Sequence, residues 1–296
     1  MSTHADFSGL SVALATPLTS SGDVDIKAFR ALVRHVATGA DVLVVLGSTG
    51  EAATITEEER DPLITACLEE AGGKKVVAGT GHNSTRQTVA WTRRAKELGV
   101  HGALIVTPYY NKPTPQGLVA HFDAAAEAAP DLPFIVYNVP GRTGLNLTPA
   151  ALQLLWANPQ VVAVKESSGN ITQIGEVSRT LPKGKTLLSG DDSLALAAIA
   201  VGADGLVSVL GNMVPKETKQ LVELARAGKR EEAVALNNRL LPLIDALFAE
   251  SNPIPLKAGL QMMGLGGDFV RLPLIPAADS TRARLKDALA TAGITI

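Results

Sequence analysis

Apolar residues in this chain recur in short, nearly continuous runs with longer amphipathic segments between them. Runs that are apolar on both faces are typical of the buried strands of a parallel sheet. Eight such runs follow one another: SVALA (11–15), VLVVL (42–46), KVVA (75–78), ALIV (103–106), FIVY (134–137), VVAVK (161–165), TLLS (186–189) and GLVS (205–208). The pattern therefore predicts eight parallel strands.

The segments between the runs carry the signals of helices. Apolar residues at positions 26, 29, 32, 33 and 36 share one face of a helix. Helix starts are marked by possible capping boxes at Thr56 with Glu59 and at Ser84 with Gln87, and by Thr148 before Pro149. We therefore expect helices between the strands.

Strand-then-helix units in succession, without a long linker, predict an α/β fold, a (β/α)8 TIM barrel. A doubly wound open sheet has the same strand count, so the pattern alone does not establish closure. After a helix near 215–227 the strand-like runs stop and helical patterns follow, at 230–250, 254–263 and 280–293. We therefore expect a barrel domain over residues 1–224 and a C-terminal helical extension over residues 225–296.

Composition narrows the possible function classes. Hydrophobic residues make up 46% of the 296 residues, and 27 Lys plus Arg stand against 29 Asp plus Glu. This slightly acidic balance lacks the basic stripe of a nucleic-acid-binding protein. The chain opens without a basic segment leading into a long apolar run, and no stretch reaches about 18 apolar residues. We therefore expect a soluble cytoplasmic protein that binds neither nucleic acid nor membranes.

The sequence lacks metal and cofactor motifs. The single cysteine, Cys67, excludes an intrachain disulfide and has no thiol or histidine at ligand spacing. The histidines are scattered without an HxH or HExxH cluster, at positions 4, 35, 82, 101 and 121. GxxxxGK[ST] is absent, and GTGHNS (79–84) lacks the spacing of a dinucleotide-binding loop. We expect neither a metal nor a cofactor.

Lys165 is the first candidate for chemistry, because active sites of such barrels lie at the carboxyl ends of the strands. It ends the sixth run, directly after VVAV (161–164). A lysine in this place is either a solvated strand end or a nucleophile. At a barrel mouth, desolvation favours the neutral amine, which attacks a carbonyl to form a Schiff base.

Two further side chains follow the fifth run, in FIVYNVPGRTG (134–144). Tyr137 either packs its ring as a strand cap or relays protons to the lysine. Arg142 lies in the adjacent loop and is either an exposed cation or a bidentate partner for a carboxylate. Beside a Schiff-base lysine, we interpret Tyr137 as the proton relay, whereas both interpretations of Arg142 stay open at this point.

Polar turns follow the second, fourth and seventh runs, and the first of these turns is bounded by glycines. In GSTGEA (47–52), backbone N–H groups and the hydroxyls of Ser48 and Thr49 suit a small carboxylate, although Gly-rich turns are ordinary in this fold. TPYYNKP (107–113) carries adjacent tyrosines that can face different environments. In SGDD (189–192) we interpret Asp191 as a helix cap.

Several motifs, in this order, resemble the 4-hydroxy-tetrahydrodipicolinate synthase family, long called dihydrodipicolinate synthases: GSTGE, TPYYNKP, YNVPGRTG, VKESSGN, SGDD, NPIPLK (252–257) and RLPL (271–274). The resemblance covers essentially the whole chain. Its lysine and tyrosine motifs are shared with other pyruvate-dependent aldolases and lyases, whereas the arginine in GRTG and the double tyrosine are more selective for the synthases.

The resemblance implies a reaction. Pyruvate condenses with Lys165, its enamine attacks the aldehyde of L-aspartate 4-semialdehyde, and cyclisation follows, on the route to diaminopimelate and lysine. Tyr137 matches the proton-relay tyrosine of the family, and Ser48 with Tyr110 matches the rest of its hydroxyl relay.

The resemblance also implies binding roles and an assembly. Thr49 matches the residue that holds the pyruvate carboxylate, Val207 matches a backbone contact to pyruvate, and Arg142 matches the residue facing the carboxylate of the aldehyde substrate. Tyr110 would reach into the site of a neighbouring subunit, within a homotetramer built as a dimer of dimers.

Two serines depart from the family pattern. Ser48 stands where the synthases usually carry threonine, and serine is common there in the N-acetylneuraminate lyases; Ser167 replaces the usual alanine after KE. The alternative function is therefore an N-acetylneuraminate lyase or a 2-keto-3-deoxy sugar acid aldolase that uses the same Schiff base. A non-catalytic barrel that binds a small carboxylate is a third hypothesis.

A further departure concerns inhibition by lysine. Lysine-inhibited synthases commonly have a histidine soon after TGE and a glutamate after an Asn-containing loop. Here Glu57 and Arg60 follow TGEAAT, and Gln87 follows Asn83. We therefore expect little inhibition by lysine.

Overall fold

Eight parallel strands pair in chain order, and β8 returns to β1 to close a barrel. The open-sheet alternative is therefore wrong. The computed structural model describes residues 6–294. The strands are β1 Gly9–Ala13, β2 Val42–Val45, β3 Lys75–Gly79, β4 Gly102–Val106, β5 Phe134–Asn138, β6 Val161–Glu166, β7 Thr186–Ser189 and β8 Gly205–Ser208. β1 begins before the expected run at 11–15, because Gly9 already pairs with Gly205 of β8.

Helices connect the strands and surround the barrel. They are α1 Ile26–Ala37, α2 Glu57–Glu70, α3 Thr85–Glu97, α4 Pro115–Ala128, α5 Pro140–Thr143, α6 Pro149–Leu155, α7 Ile171–Thr180, α8 Ala195–Ala200, α9 Pro215–Arg226, α10 Arg230–Leu247, α11 Ile254–Met262 and α12 Asp279–Thr291. Single 3₁₀ turns lie at Ser48–Gly50 and Leu210–Asn212. Among the described helices, none is both long and apolar enough to cross a membrane.

The capping predictions had different outcomes. The box of Thr56 and Glu59 is present at the start of α2, and Thr148 caps α6 by accepting from Ala151 N. The predicted box at Ser84 is wrong. Ser84 is the N-cap of α3 but makes no side-chain cap bond, and Gln87 Nε2 instead donates to Glu57 Oε1 at 2.6 Å.

Two apolar layers follow from the alternation of side chains along each strand. Residues that face outward pack beneath the helices, whereas the inward-facing ones fill the barrel with a separate cluster that includes Val44, Ile135, Leu188 and Val207. Side chains therefore fill the barrel interior below the mouth, and only its carboxyl end is left for polar chemistry.

A bulge in β6 interrupts this alternation. Phe134 pairs with Val161, but the next residue of β5, Ile135, pairs with Ala163, so β6 contains one extra residue. Val162 and Ala163 consequently both belong to the interior cluster, and Val164 returns to the outer layer. The next residue, Lys165, thereby faces the interior instead of the helices, because a slip of one residue exchanges the two faces of a strand.

The C-terminal helices pack onto the barrel through α9. Helix α9 contacts β1 and β8, and α10 packs against α9 and α12. Because α9 completes the eighth strand–helix unit and ends at Arg226, we propose to divide barrel from extension directly after it, close to the expected boundary at residue 225.

Candidate active site

Lys165 and Tyr137 form the centre of the site. They pair directly across β6 and β5, and both are 6% exposed. The amine lies over the aromatic face, with Lys165 Nζ 4.1 Å from the centroid of the Tyr137 ring. The structure therefore brings the predicted nucleophile and the predicted phenol together, at the carboxyl ends of neighbouring strands.

Gly190, directly after β7, makes room for the lysine side chain. A Cβ atom at Gly190 would lie 2.7 Å from Lys165 Cε and 1.9 Å from Ser167 Oγ, so both side chains would have to move. The Ser167 hydroxyl is buried and has no hydrogen-bond partner among the described residues. Glycine at this position therefore allows the observed packing of Lys165.

A cavity of about 600 Å³ opens beside Tyr137, which lines its wall. Its size suits a small metabolite. Tyr137, Ser48 and Arg142 contribute to its wall, together with Asn252 from the C-terminal extension. The barrel mouth and the extension therefore enclose one space.

The GSTGE turn brings the predicted hydroxyls to the mouth. Ser48 and Thr49 lie in the 3₁₀ turn after β2, with Thr49 buried and Ser48 half-buried. Thr49 Oγ1 accepts a hydrogen bond from Asn252 Nδ2 at 2.9 Å. The NPIPLK motif gives no local sign of a role for Asn252, because its partner Thr49 is 203 residues away in the chain.

Arg142 lies on the short helix α5 at the edge of the cavity. Its Nη2 donates to the backbone oxygen of Asn252 at 3.0 Å. Because this bond occupies only Nη2, the other N–H groups of the planar guanidinium remain available for a carboxylate in the cavity.

Glu51 anchors the GSTGE turn to the extension. It has a left-handed backbone, with φ of 54°, and its buried carboxylate forms an ion pair with Lys257 of α11. Glu51 Oε2 also accepts from Arg271 N at 3.1 Å, and Lys257 Nζ donates to Phe269 O at 2.7 Å. Burial lowers the pKa of Lys257, against the opposing effect of Glu51.

A second buried carboxylate, Glu166, lies directly after Lys165 and on the opposite face of β6. Its Oε2 accepts from Asn138 Nδ2 at 2.8 Å and from Gln173 Nε2 at 3.2 Å, and its Oε1 accepts from Ser168 N at 2.6 Å. Asn138 directly follows Tyr137, so this network ties the ends of β5 and β6 together behind the two candidate catalytic side chains.

Asp192 performs a similar task at the end of β8. Its buried carboxylate accepts from Val209 N at 2.8 Å and from Leu210 N at 3.2 Å, and burial raises its pKa. It thereby fixes the chain that follows Val207, which is buried with its side chain in the barrel interior. Asp191 does not cap a helix as expected: it accepts from Ser193 in a local turn, and α8 begins at Ala195.

The two tyrosines of TPYYNKP face different environments. Tyr109 lines the cavity, and burial raises its pKa. Tyr110 is 86% exposed, has a φ of 73°, and is absent from the cavity wall of its own chain. The structure therefore does not bring Tyr110 to Lys165 within one chain.

Polar and aromatic side chains line a further part of the cavity wall, among them Glu57, His82 and Trp91. Arg60 lies over the Trp91 ring, 3.8 Å from its centroid, and burial lowers the pKa of Arg60 to about 10. Glu57 accepts from Gln87 and from Trp91 Nε1. His82 stacks edge-on against both Trp91 and Tyr109.

The histidines are dispersed in space as well as in sequence. Within residues 6–294, no group of three or more His, Cys, Asp or Glu side chains is placed to hold a metal ion. His121 is buried on α4, whereas His101 is exposed; His4 lies outside the described residues.

A model of the dihydrodipicolinate synthetase family matches residues 6–292 of this chain. The 4-hydroxy-tetrahydrodipicolinate synthase of Maridesulfovibrio salexigens is 44% identical over 292 residues, which are 97% of this chain and 99% of that protein.

Solved structures give the same result. The chloride-inhibited dihydrodipicolinate synthase of Acinetobacter baumannii, complexed with pyruvate, superimposes with a TM-score of 0.94 at 41% identity and covers 98% of this chain and 100% of its own. The enzyme of Cyanidioschyzon merolae with lysine bound also has a TM-score of 0.94, at 39% identity, and covers 98% and 99% of the two chains.

Proposed function

The chain belongs to the dihydrodipicolinate synthetase family, and from this premise we propose that it is a 4-hydroxy-tetrahydrodipicolinate synthase that condenses pyruvate with L-aspartate 4-semialdehyde. The observation that carries the proposal is the buried Lys165–Tyr137 pair, whose tyrosine lines a cavity of suitable size. A desolvated amine beside a phenol is what carbonyl condensation by covalent catalysis requires.

Lys165 is the nucleophile. Its amine adds to the keto carbon of pyruvate, and the resulting carbinolamine loses water to give an imine. Loss of a proton from the methyl group forms the enamine, whose terminal carbon adds to the aldehyde carbon of the second substrate. Tyr137 carries protons in these steps, and its proximity to the amine supports this role, with Lys165 Nζ 4.1 Å from the ring centroid.

The mouth supplies groups for the two carboxylates. Thr49 and the GSTGE backbone bind the carboxylate of pyruvate, and the chain at Val207 lies against the same substrate. Ser48 lines the cavity and adds a hydroxyl to the proton relay. Arg142 binds the carboxylate of the semialdehyde with the part of its guanidinium that Asn252 leaves free.

Tyr110 completes the relay in a neighbouring subunit. Its exposure of 86% leaves the phenol free to cross an interface, and its left-handed backbone is held by a bond from Tyr110 N to Thr143 O at 3.1 Å, beside Arg142. Strained backbone of this kind is concentrated at functional sites. The dimer is thus the smallest competent unit, within a dimer of dimers.

Trapping with borohydride tests the Schiff base. Reduction in the presence of pyruvate should add the pyruvate-derived mass to the peptide that contains Lys165, and Lys165→Met should abolish the adduct. Lys286→Met, which changes an exposed lysine, is the matched control. Folded wild-type protein without an adduct would exclude the mechanism.

A coupled assay then tests the second substrate. Consumption of L-aspartate 4-semialdehyde is expected, and Arg142→Ala should raise the KM for the semialdehyde while sparing the pyruvate adduct. Release of pyruvate from N-acetylneuraminate or a 2-keto-3-deoxy sugar acid, without turnover of the semialdehyde, would instead support the lyase alternative. An adduct without turnover of any aldehyde would support the binding barrel.

Complementation tests the role of Tyr110. Tyr110→Phe and Lys165→Met each impair the homodimer, but a mixed dimer places an intact Tyr110 beside an intact Lys165 in one of its sites. Co-expression in equal amounts should therefore restore about a quarter of the wild-type sites. If Tyr110 acted within its own chain, no activity would return.

We also propose that lysine inhibits this enzyme weakly. Glu57 accepts from Gln87 and from Trp91, and Arg60 lies over the Trp91 ring, so these side chains already have partners within the chain. Activity measured with increasing L-lysine should stay nearly constant, and strong inhibition would contradict the proposal.

A further inference from the structure

We propose that Asn252, from the C-terminal extension, is a positioning residue that directs the Thr49 hydroxyl toward the carboxylate of pyruvate. This inference rests on the proposed function, because it requires Thr49 to bind that carboxylate. Asn252 is 8% exposed, lines the cavity and donates from Nδ2 to Thr49 Oγ1 at 2.9 Å.

The direction of this hydrogen bond matters. A threonine hydroxyl has one proton to donate and two lone pairs that accept, whereas a carboxylate only accepts. Because Thr49 Oγ1 accepts from Asn252, its own proton is free to be donated to an anion, and its neighbour Ser48 lines the cavity. Without the amide, the hydroxyl can turn its proton to another acceptor and lose the bond to pyruvate.

Asn252 also contacts the group proposed for the second carboxylate. Its backbone oxygen accepts from Arg142 Nη2 at 3.0 Å. One residue of the extension therefore joins the two carboxylate-binding groups, Thr49 and Arg142, through its amide and its backbone.

A contribution to folding stability does not explain why residue 252 carries a side-chain amide. Asn252 Oδ1 is buried and has no hydrogen-bond partner within residues 6–294. A buried acceptor without a partner costs folding free energy, and such groups in a native structure call for a functional explanation. The turn that contains Thr49 is separately anchored by Glu51 and Lys257. Removal of the amide should therefore change pyruvate binding more than it changes folding.

Steady-state kinetics of Asn252→Ala and Asn252→Asp test the inference. Asn252→Ala should raise the KM for pyruvate about tenfold, with kcat and Tm little changed, because a bond to a charged group is weakened. Asn252→Asp should raise this KM about a hundredfold, since its carboxylate accepts the Thr49 proton and repels pyruvate. Asn238→Ala, an exposed asparagine of the same extension, should match wild type.

A double-mutant cycle separates positioning from a general structural effect. If Asn252 acts through Thr49, adding Asn252→Ala to Thr49→Val should change the KM for pyruvate less than twofold beyond Thr49→Val alone. Independent, additive effects, or a wild-type KM in Asn252→Ala, would overturn the inference. Should Asn252→Ala fail to fold, Asn252→Asp alone still tests the inference, because a wild-type KM for pyruvate in that variant would overturn it.

The two levels of proposal fail differently. If the proposed function is wrong, wild-type protein either forms no pyruvate adduct or forms it without turning over the semialdehyde. If only the positioning role is wrong, wild type forms the adduct and turns over the semialdehyde, while the Asn252 variants and the Asn238 control bind pyruvate alike.

Discussion

Two buried carboxylates support opposite sides of the barrel mouth in different ways. The side that carries Lys165 and Tyr137 is called the nucleophile side. There Glu166 accepts from neutral donors of Asn138, Gln173 and Ser168, all within the strand–helix units of β5 and β6. The side that carries Thr49, proposed to bind the carboxylate of pyruvate, is called the carboxylate side. There Glu51 pairs with a buried cation, Lys257, which belongs to the C-terminal extension.

The two sides differ in how far they depend on residues that are distant in the chain. The nucleophile side is built by residues near one another in sequence, and its charge is spread over several neutral donors. The carboxylate side depends on two opposite charges with little solvent to screen them, so removing either leaves the other unpaired. We infer that Schiff-base formation depends on the barrel, whereas recognition of carboxylates depends on the extension.

The largest effect is expected from Lys257→Met. It leaves Glu51 buried without its cation, which should lower the free energy of unfolding by about 3–5 kcal/mol. It should also raise the KM for pyruvate, because Glu51 fixes the turn that carries Thr49. Urea denaturation at fixed protein concentration measures the first effect, and steady-state kinetics the second.

The control for this variant is Lys286→Met, which changes an exposed lysine of the same extension and should stay within about 0.5 kcal/mol of wild type. Replacing both charges, in Glu51→Gln with Lys257→Met, should recover part of the loss. A single-variant loss below about 1 kcal/mol would contradict the proposed contrast.

A pH titration should show the next largest effect and identify the range in which the two sides are best compared. Burial lowers the pKa of His121 to about 4, from an ordinary value of 6.5. Between these values the unfolded chain binds more protons than the folded one, so stability is highest above pH 6.5 and falls as the pH drops toward 4. The full loss is about 3 kcal/mol.

Denaturation at several pH values checks this. His121→Asn should flatten the curve between pH 6.5 and 4, whereas His101→Asn, at an exposed position, should leave its slope unchanged. Equal slopes for His121→Asn and wild type would exclude His121 as the cause. Variants of Glu51 and Glu166 are therefore best compared above pH 7.

The smallest effect on stability is expected from Glu166→Gln. The glutamine amide turns an N–H₂ group toward one of the existing donors, which should lower the free energy of unfolding by about 1–3 kcal/mol. Because Lys165 and Tyr137 directly precede the residues of this network, kcat should fall about tenfold or more, with a smaller change in the KM for pyruvate.

Glu176→Gln, at an exposed position of α7, is the control and should match wild type in both measurements. A change in the KM for pyruvate as large as that of Lys257→Met would show that the two sides of the mouth are not separate. Unchanged kcat in Glu166→Gln would contradict the positioning of Lys165 by this network.

Sequence patterns predicted most of the barrel because they are local. Buried parallel strands are apolar on both faces, so each run was visible and each strand lies within two residues of its expected place. Lys165, Tyr137 and Arg142 were found because a residue at the carboxyl end of a barrel strand must lie near the mouth. The box at Ser84 and the cap at Asp191 were wrong, because Glu57 and a local turn offered better partners.

The chain by itself determined the eight strands, the candidate site residues at their ends and the helical extension, since these depend on periodicity and on order along the chain. Tertiary structure alone decided which way Lys165 faces and which side chain contacts Thr49. The bulge in β6 arises only when β5 pairs with it, and Asn252 is 203 residues from Thr49 in the chain, so the two meet only in the folded protein. Contacts of this kind leave no local pattern, because they depend on geometry between distant segments.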